Sequence, residues 1–326
     1  MGPGNLRGQS MAVNKKTRKR ISKKGVFLTF IAITIAGVII FSLLIYTGYR
    51  QRDKMFVIET RIDTIEDFMS GLEKDLSRGL FISSFRSVLA IEQYVITTGV
   101  FFDSTETRFK EALLNSTVNG TYIDLIANSS FTDWITKIQS QADKIGIIVD
   151  IDVTEITINQ SDSWNIIIGM NLSINVSDRK NTAAWLKAQN IETKLSVEGF
   201  EDPLYALNSY GRITNAIVNN NNASFSSIST LVNHINSSNY IASTTAPSFL
   251  MRLEGNLSAS EQGIESLVNT QEFVNQGIPG TGRSNVDYIY FGTGSSPACI
   301  VNQTLPYFTW FRLDNDHLSV YRVSCA

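Results

Sequence analysis

The chain is poor in the side chains that build most metal and catalytic centres. Its 326 residues include only two histidines and two cysteines. No H-E-x-x-H motif, nucleophile elbow or Ser-His-Asp order is present, and "DNDH" at 314–317 lacks the spacing of a calcium loop. We therefore expect no enzyme, no cofactor and no metal site. An enzyme whose site assembles from residues far apart in sequence is the less favoured alternative.

Charge is missing from one long segment, residues 25–49. This segment, "GVFLTFIAITIAGVIIFSLLIYTGY", is long enough to cross a bilayer, because a helix needs about 20 apolar residues to do so. A cleaved signal peptide is the alternative. Its apolar region would be about 7–15 residues long and followed by a small-x-small site, which "IYTGYRQRD" does not offer. We predict an uncleaved transmembrane helix.

Acidic residues are missing from positions 1–24, which hold eight of the chain's 28 basic residues. The rest of the chain has 20 basic and 30 acidic residues, so a basic tail of charge +8 precedes a body of charge −10. Basic residues beside a span favour the cytoplasmic side. We predict a single-pass protein of the cell membrane with a cytoplasmic N-terminus and an extracytoplasmic body. Its basic tail would lie against the lipid bilayer, and we expect no nucleic acid.

Two features of the body agree with an extracytoplasmic location. Ten N-x-[ST] sequons follow the apolar segment and none precedes it, although an Asn-, Ser- and Thr-rich chain forms several by chance. Cys299 and Cys325 are also distal. A disulfide between them would add about 3–4 kcal/mol of stability, and two free thiols are the alternative. The candidate N-glycosylation sites are Asn115, Asn119, Asn128, Asn159, Asn171, Asn175, Asn222, Asn236, Asn256 and Asn302.

Helical periodicity begins directly after the apolar segment. Apolar residues recur at spacings of three and four from Ile58 to Leu76, with charged residues between them. This pattern predicts one long or once-broken amphipathic helix that ends near Thr97. We interpret its apolar stripe as a face packed on the chain's own domain. A docking face for another chain is the alternative.

Two further helices are predicted before the pattern changes. They lie at 103–115, with Ser104 as its cap, and at 131–146, closed by Gly146. Three segments rich in Ile and Val then alternate apolar and polar residues, which predicts an antiparallel meander with one solvent-exposed face. The three segments are "IIVDIDVTEITIN", "WNIIIGMNLSINVS" and "WLKAQNIETKLSVEG".

The last hundred residues contain a loop that resembles a nucleotide-binding motif. "GIPGTGRS" would fit the phosphate-binding pattern G-x-x-x-x-G-K-[ST] if Arg283 were lysine. That motif needs a strand before it and a helix after it. Here a helix is predicted near 260–274 and a strand at "NVDYIYFG", so we interpret the loop as a helix-to-strand turn capped by Gly277 and expect no nucleotide. A helix near 226–237 and strands within 299–325 complete the prediction.

The N-terminus resembles the leader of type IV pilin-like proteins. "RKRISKKGVFLTFIAITIAG" has a basic stretch, then Lys24-Gly25, then an apolar helix. The resemblance implies cleavage between Gly25 and Val26 and packing of the helix into a filament. Phe30 stands where family members usually carry glutamate, which favours a minor subunit or a plain anchor. The body is similar to uncharacterised single-span archaeal surface proteins through "SVEGFEDPLYALNSYG" and "YIASTTAPSFLMRLEGNLSA".

Together these patterns predict an α+β protein. We expect a basic tail (1–24), a transmembrane helix (25–49), a helical stalk (50–115) and an extracytoplasmic α+β domain (116–326) with an antiparallel sheet and several short helices. The function expected from them is that of a cell-surface structural or adhesive protein, with other envelope or pilus proteins or a cell-surface ligand as partners. An envelope receptor or assembly partner acting through other membrane proteins is the alternative.

Overall fold

One helix contains both the apolar segment and the amphipathic repeat that follows it. The computed structural model describes residues 23–180, 183–221, 224–294 and 296–326. Helix α1 runs over Lys23–Thr98, which confirms the helix predicted to end near Thr97. Contacts divide the chain into two units, residues 1–60 and residues 61–326. In the first unit, the described residues all belong to α1.

The second unit mixes helices and antiparallel strands, as predicted. Two short 3₁₀ turns, Asp124–Ile126 and Asn302–Thr304, occur beside them. The described helices after α1 are α2 (Thr105–Asn115), α3 (Phe131–Lys144), α4 (Pro203–Asn208), α5 (Ile228–Ser237), α6 (Phe249–Leu253), α7 (Thr270–Asn275), α8 (Asp287–Phe291) and α9 (Asn315–Val320). The described strands are β1 (Thr117–Val118), β2 (Thr121–Tyr122), β3 (Ile147–Asp162), β4 (Asn165–Asp178), β5 (Ala184–Ser196), β6 (Tyr240–Ala242), β7 (Ile264–Ser266), β8 (Ala298–Ile300) and β9 (Arg312–Asp314).

Local side chains fix the ends of the two helices predicted before the sheet. The Ser104 hydroxyl accepts a hydrogen bond from the backbone of Thr107 and caps α2. Ser130 and Asp133 form a reciprocal capping box at the start of α3. Gly146 follows α3 with φ of +74°, a left-handed conformation that glycine adopts at little cost. Both predicted helices are therefore confirmed to within two residues.

The largest sheet is the predicted meander, with strand order β3-β4-β5 and antiparallel pairing throughout. Apolar side chains alternate along β4 and are buried against α1 and α3 in one core. In β3 the buried positions are odd-numbered up to Ile151 and even-numbered from Ile156. A bulge between Val153 and Glu155 adds one residue and so keeps both sets on the same face.

Helix α1 contributes directly to this core within the second unit. Ile65, Leu72, Leu76 and Leu80 are each at most 3% exposed. From Ile65 onward, the predicted apolar stripe is therefore a face packed on the chain's own domain. The predicted boundaries at 49/50 and 115/116 remain predictions.

The predicted helix at 260–274 is wrong in its first half. Residues Ile264–Ser266 form strand β7, which pairs with β6, and helix α7 begins only at Thr270. All three β7 residues are buried, so both faces of the strand pack and the period-two signal disappears. Asn269 then caps α7 by accepting a hydrogen bond from the backbone of Gln271.

The predicted strand at "NVDYIYFG" is also wrong, because residues Asp287–Phe291 form helix α8. Val286 and Tyr290 are buried, at a spacing of four, and Asp287 is buried through a pairing with Arg252. That partner lies 35 residues earlier, and the local pattern cannot reveal it. The "DNDH" segment begins helix α9, because Asp314 caps this helix and accepts a hydrogen bond from the backbone of His317.

Candidate functional site

Helix α1 contains the clearest candidate for a functional segment. Within the described residues it is the one helix long and apolar enough to cross a membrane, judged by length and composition. Its most apolar window has a mean hydropathy of 2.7, and none of that window is buried. The hydroxyls of Thr29, Thr34 and Thr47 donate to carbonyls three or four residues earlier in the same helix. These three hydroxyls are thus satisfied within the helix, which is compatible with a hydrocarbon environment.

The leader-like junction lies at the beginning of the same helix. Gly25 and Val26 fall in the first turn of α1, which begins at Lys23. Phe30, at the position where pilin-like proteins carry glutamate, is 65% exposed. The basic tail over residues 1–22 lies outside the described residues.

Most of the sequon asparagines are accessible. Asn171 is half-buried, donates to Glu155 and accepts from the Asn190 amide at 2.7 Å, so its side chain belongs to a polar ladder on the outer face of the sheet. Asn222 lies outside the described residues. The exposed sequon asparagines are Asn115, Asn119, Asn128, Asn159, Asn175, Asn236, Asn256 and Asn302.

The two cysteines are joined in the structure. Cys299 and Cys325 form a disulfide with a Cα–Cα distance of 5.6 Å, inside the range that a disulfide requires. Backbone hydrogen bonds reinforce the link, because Asn302 donates to Ser324 and Ala326 donates to Ile300, both at 2.9 Å. The bridge therefore fastens the last residues of the chain to strand β8.

The loop that resembles a nucleotide-binding motif uses its polar side chains internally. It follows helix α7, and Gly277 has φ of +75° as predicted for a helix cap. The Ser284 hydroxyl is buried and donates to Asp314 at 2.7 Å. Arg283 donates to the carbonyl of Gly292. In phosphate-binding motifs a strand precedes the loop, whereas here helix α7 precedes it.

A buried ionic cluster lies within the second unit. The Arg252 guanidinium is 0% exposed and lies 2.5 Å from Asp202 and 3.0 Å from Asp287, both also fully buried. Tyr240 donates its hydroxyl to Asp202, and Ser266 donates to Asp287. Burial alone would lower the pKa of Arg252, but the two carboxylates raise it. The cluster joins α4, α6, β6, β7 and α8, and its full burial fits a structural role.

A second buried cluster surrounds His317. Its Nδ1 lies 2.8 Å from Asp314, and its Nε2 lies 3.3 Å from Glu265. Burial alone would lower the pKa of His317, but hydrogen bonds and charge from these two carboxylates raise it to about 10. An imidazolium held between two carboxylates has no lone pair for base catalysis. Tyr321 donates to Glu265 at 2.8 Å and closes the cluster.

The other histidine also serves packing. His234 in α5 is buried between Phe225 and Tyr321, and burial lowers its pKa to about 4. Its Nδ1 is 3.0 Å from the Asn220 amide. The described residues contain no group of three or more His, Cys, Asp or Glu side chains placed to hold a metal ion.

Two cavities border the part of α1 that belongs to the second unit. A groove of about 320 Å³ lies between α1 and α3 and is lined by Phe68, Gly71, Trp134 and Ile138 among others. A larger cleft of about 610 Å³ lies between the last turns of α1 and the segment 121–125.

Comparison of the chain with protein-family models, curated proteins and solved structures finds no match.

Sequence reasoning missed the residues that organise both buried clusters. Arg252 sits in "SFLMRLEGN", where a single basic residue among apolar ones is the one available signal. Asp202 precedes Pro203, a local pattern that signals only a turn or a helix start. It does cap α4 through Leu204, but its second oxygen also binds Arg252.

Proposed function

We propose that the protein is an extracytoplasmic surface protein held in the cell membrane by α1, with a structural or adhesive role. The observation that carries this proposal is the uncharged, unburied apolar stretch of α1. Large side chains such as Phe27, Ile33 and Phe41 are 65–70% exposed there, which is unfavourable in water and favourable in lipid. The basic tail before it supports a cytoplasmic N-terminus.

Two features of the body support an extracytoplasmic location. Eight sequon asparagines are exposed, and the cysteine pair forms a disulfide, a bond that persists in oxidising compartments. The buried ionic groups around Arg252 and His317 hold the fold together, which favours a binding or structural role over catalysis. The leader-like junction at Gly25 and Val26 supports the narrower proposal of a minor pilin-like subunit.

Membrane anchoring is tested by carbonate extraction and by protease shaving of intact cells. We expect the chain to remain in the carbonate pellet and its body to be cleaved from outside. Ile39→Arg should move part of the protein into the soluble fraction, because arginine at a helix centre costs about 2.5–3.5 kcal/mol on insertion. Ile148→Arg, at an exposed strand position, is the matched control. A wild-type body released by carbonate, or protected from protease, would contradict the proposal.

The identity of the first residue of the mature protein distinguishes a pilin-like subunit from a permanent anchor. Mass spectrometry that finds Val26 as the first residue would establish pilin-type processing. An intact leader would leave a permanent anchor.

The apolar groove between α1 and α3 favours an assembly partner as the second candidate function, because a groove of this kind suits a side chain from another protein.

A further inference from the structure

A cleft beside the end of α1 combines the chemistry of a ligand site. It has a volume of about 610 Å³, within the range of roughly 300–1,000 Å³ that ligand sites occupy. One wall is formed by α1 and the other by the β1–β2 hairpin and the 3₁₀ turn after it. We call it the α1–hairpin cleft and define it by Gln93, Tyr94, Thr97, Tyr122, Asp124 and Leu125.

Two tyrosines supply flat apolar surface in this cleft. The Tyr94 ring stacks on Phe102 with a centroid distance of 5.6 Å, and its hydroxyl accepts a hydrogen bond from the Asn119 amide. Tyr122 is 56% exposed and Leu125 is 39% exposed. Tyrosine rings offer large contact area at low entropic cost and are enriched at binding surfaces.

The hairpin that presents Tyr122 is held rigidly. Its turn, Asn119-Gly120, has positive φ at both residues, the pattern of a tight two-residue hairpin. The Glu111 carboxylate accepts hydrogen bonds from the backbones of Asn119 and Gly120 and from the Thr117 hydroxyl. A wall fixed in this way loses little entropy when it binds a ligand.

The polar groups of the cleft select the ligand class. Gln93 and Thr97 are exposed and offer amide and hydroxyl groups, and Asp124 is the one charged side chain among the lining residues. A single carboxylate disfavours phosphates and other anions. Amide, hydroxyl and carboxylate groups beside the exposed Tyr122 ring and the half-buried Tyr94 ring match a pyranose, which has an apolar C–H face and a rim of hydroxyl groups.

We propose that the α1–hairpin cleft binds a neutral saccharide. The saccharide has two available sources, a glycan attached to Asn119 at the rim of the cleft or a sugar chain from outside the protein. Both present the same chemistry. This site goes beyond the proposed surface role, and its binding can be measured whatever the location of the protein proves to be.

The test uses the full chain in lipid nanodiscs, because sugar-headed detergents would compete. Saturation-transfer NMR is recorded with methyl glucoside, methyl mannoside and N-acetylglucosamine. The same sample is then titrated with a glycine-rich peptide, which tests whether the cleft binds a peptide in place of a saccharide. We expect at least one saccharide to bind, and Tyr122→Ala to weaken it by about tenfold or more. Tyr210→Ala, at an 83% exposed tyrosine outside the cleft, should leave binding unchanged.

Protein produced without N-glycosylation distinguishes the two sources, because it keeps the Asn119 amide that donates to Tyr94 and lacks only the glycans. If the native occupant is the Asn119 glycan, the unglycosylated form should bind added saccharide and the glycosylated form should not. If the occupant is external, both forms should bind equally. The proposal is overturned if no saccharide binds in either form, if Tyr122→Ala binds as well as the wild type, or if the peptide binds the cleft in place of saccharide.

Discussion

The carboxyl group of Glu92 in α1 accepts a hydrogen bond from the backbone N–H of Glu201, with an O···N distance of 2.5 Å. The Glu92 residue is 2% exposed, and its second oxygen is buried without a partner among the described residues. Burial raises the pKa of Glu92 to about 8. The Glu201 N–H opposes this shift, and the nearby charges of Glu201 and Asp202 add to it. Glu92 is therefore protonated at neutral pH and ties α1 to the segment before α4.

This contact predicts a stability that declines as pH rises. A carboxyl group with a raised pKa stabilises the fold fully below its ordinary value of 4.5, and the contribution is lost between there and about 8. The loss is on the order of 1 kcal/mol per pH unit. In urea titrations between pH 4.5 and 9, Glu92→Gln should flatten this dependence, and Glu66→Gln, at an exposed position of α1, should not. A wild-type slope in the Glu92 variant would show that another group is responsible.

Replacement of Arg252 should be among the most damaging single changes. Arg252→Met leaves Asp202 and Asp287 buried without their cation, which costs about 3–5 kcal/mol. Arg86→Met, at an exposed arginine of α1, should change stability by less than about 0.5 kcal/mol. Thermal unfolding followed by circular dichroism measures both.

A second variant separates the loss of the ion pair from a general packing defect. Asp287→Asn in the Arg252→Met background removes one of the uncompensated charges, so it should recover part of the lost stability. If the double variant is less stable than the single variant, the cost of Arg252→Met arises from packing and not from charge.

The sequence predicted best those elements whose signal is local and periodic. Helices α1 to α3 and the three long strands each repeat one pattern over ten or more residues, so their type could be read without tertiary information. Even the bulge in β3 leaves a trace, because the buried positions change parity between Ile151 and Ile156.

The second half of the body was predicted less well because its elements are short and their side chains pair over long distances. Strand β7 has three residues, all buried, and α8 has five, one of which binds Arg252. At this length the periodicity of a helix and that of a strand cannot be told apart. The α1–hairpin cleft was missed for the same reason, because Tyr94 and Tyr122 meet only in the folded chain.

Loss of the disulfide should destabilise the C-terminal segment more than the rest of the body. Cys299 and Cys325 are separated by 26 residues, and a bridge over such a loop is worth about 3–4 kcal/mol. Cys325→Ser should increase amide hydrogen exchange in residues 298–326 and leave β3 to β5 protected. Cys299→Ser with Cys325→Ser should behave like either single change, since one bond is lost in all three. Full alkylation of both thiols in unreduced wild-type protein would contradict the bridge.

Replacement by alanine of two glycines in the interior of α1, Gly71 and Gly79, should change the stability of the protein in opposite directions. A Cβ atom on Gly79 would lie 2.6 Å from Cδ1 and Nε1 of the Trp134 indole, well inside contact distance. A Cβ atom on Gly71 would have no heavy atom within 4 Å. The two positions share helix geometry, so the difference between them isolates the packing of Trp134 on α1.

At Gly71, alanine gains helix propensity alone and should stabilise the protein by about 0.5–1 kcal/mol. At Gly79, the same gain is opposed by a clash that forces the indole or the helix to move, at a typical cost of about 1–3 kcal/mol. We therefore expect Gly79→Ala to destabilise the protein. It should also shift the emission maximum of Trp134 fluorescence, because the indole is displaced, and Gly71→Ala should not. Equal stability of the two variants would mean that α3 can move away from α1 without cost, and the groove between them would then not be a fixed feature of the fold.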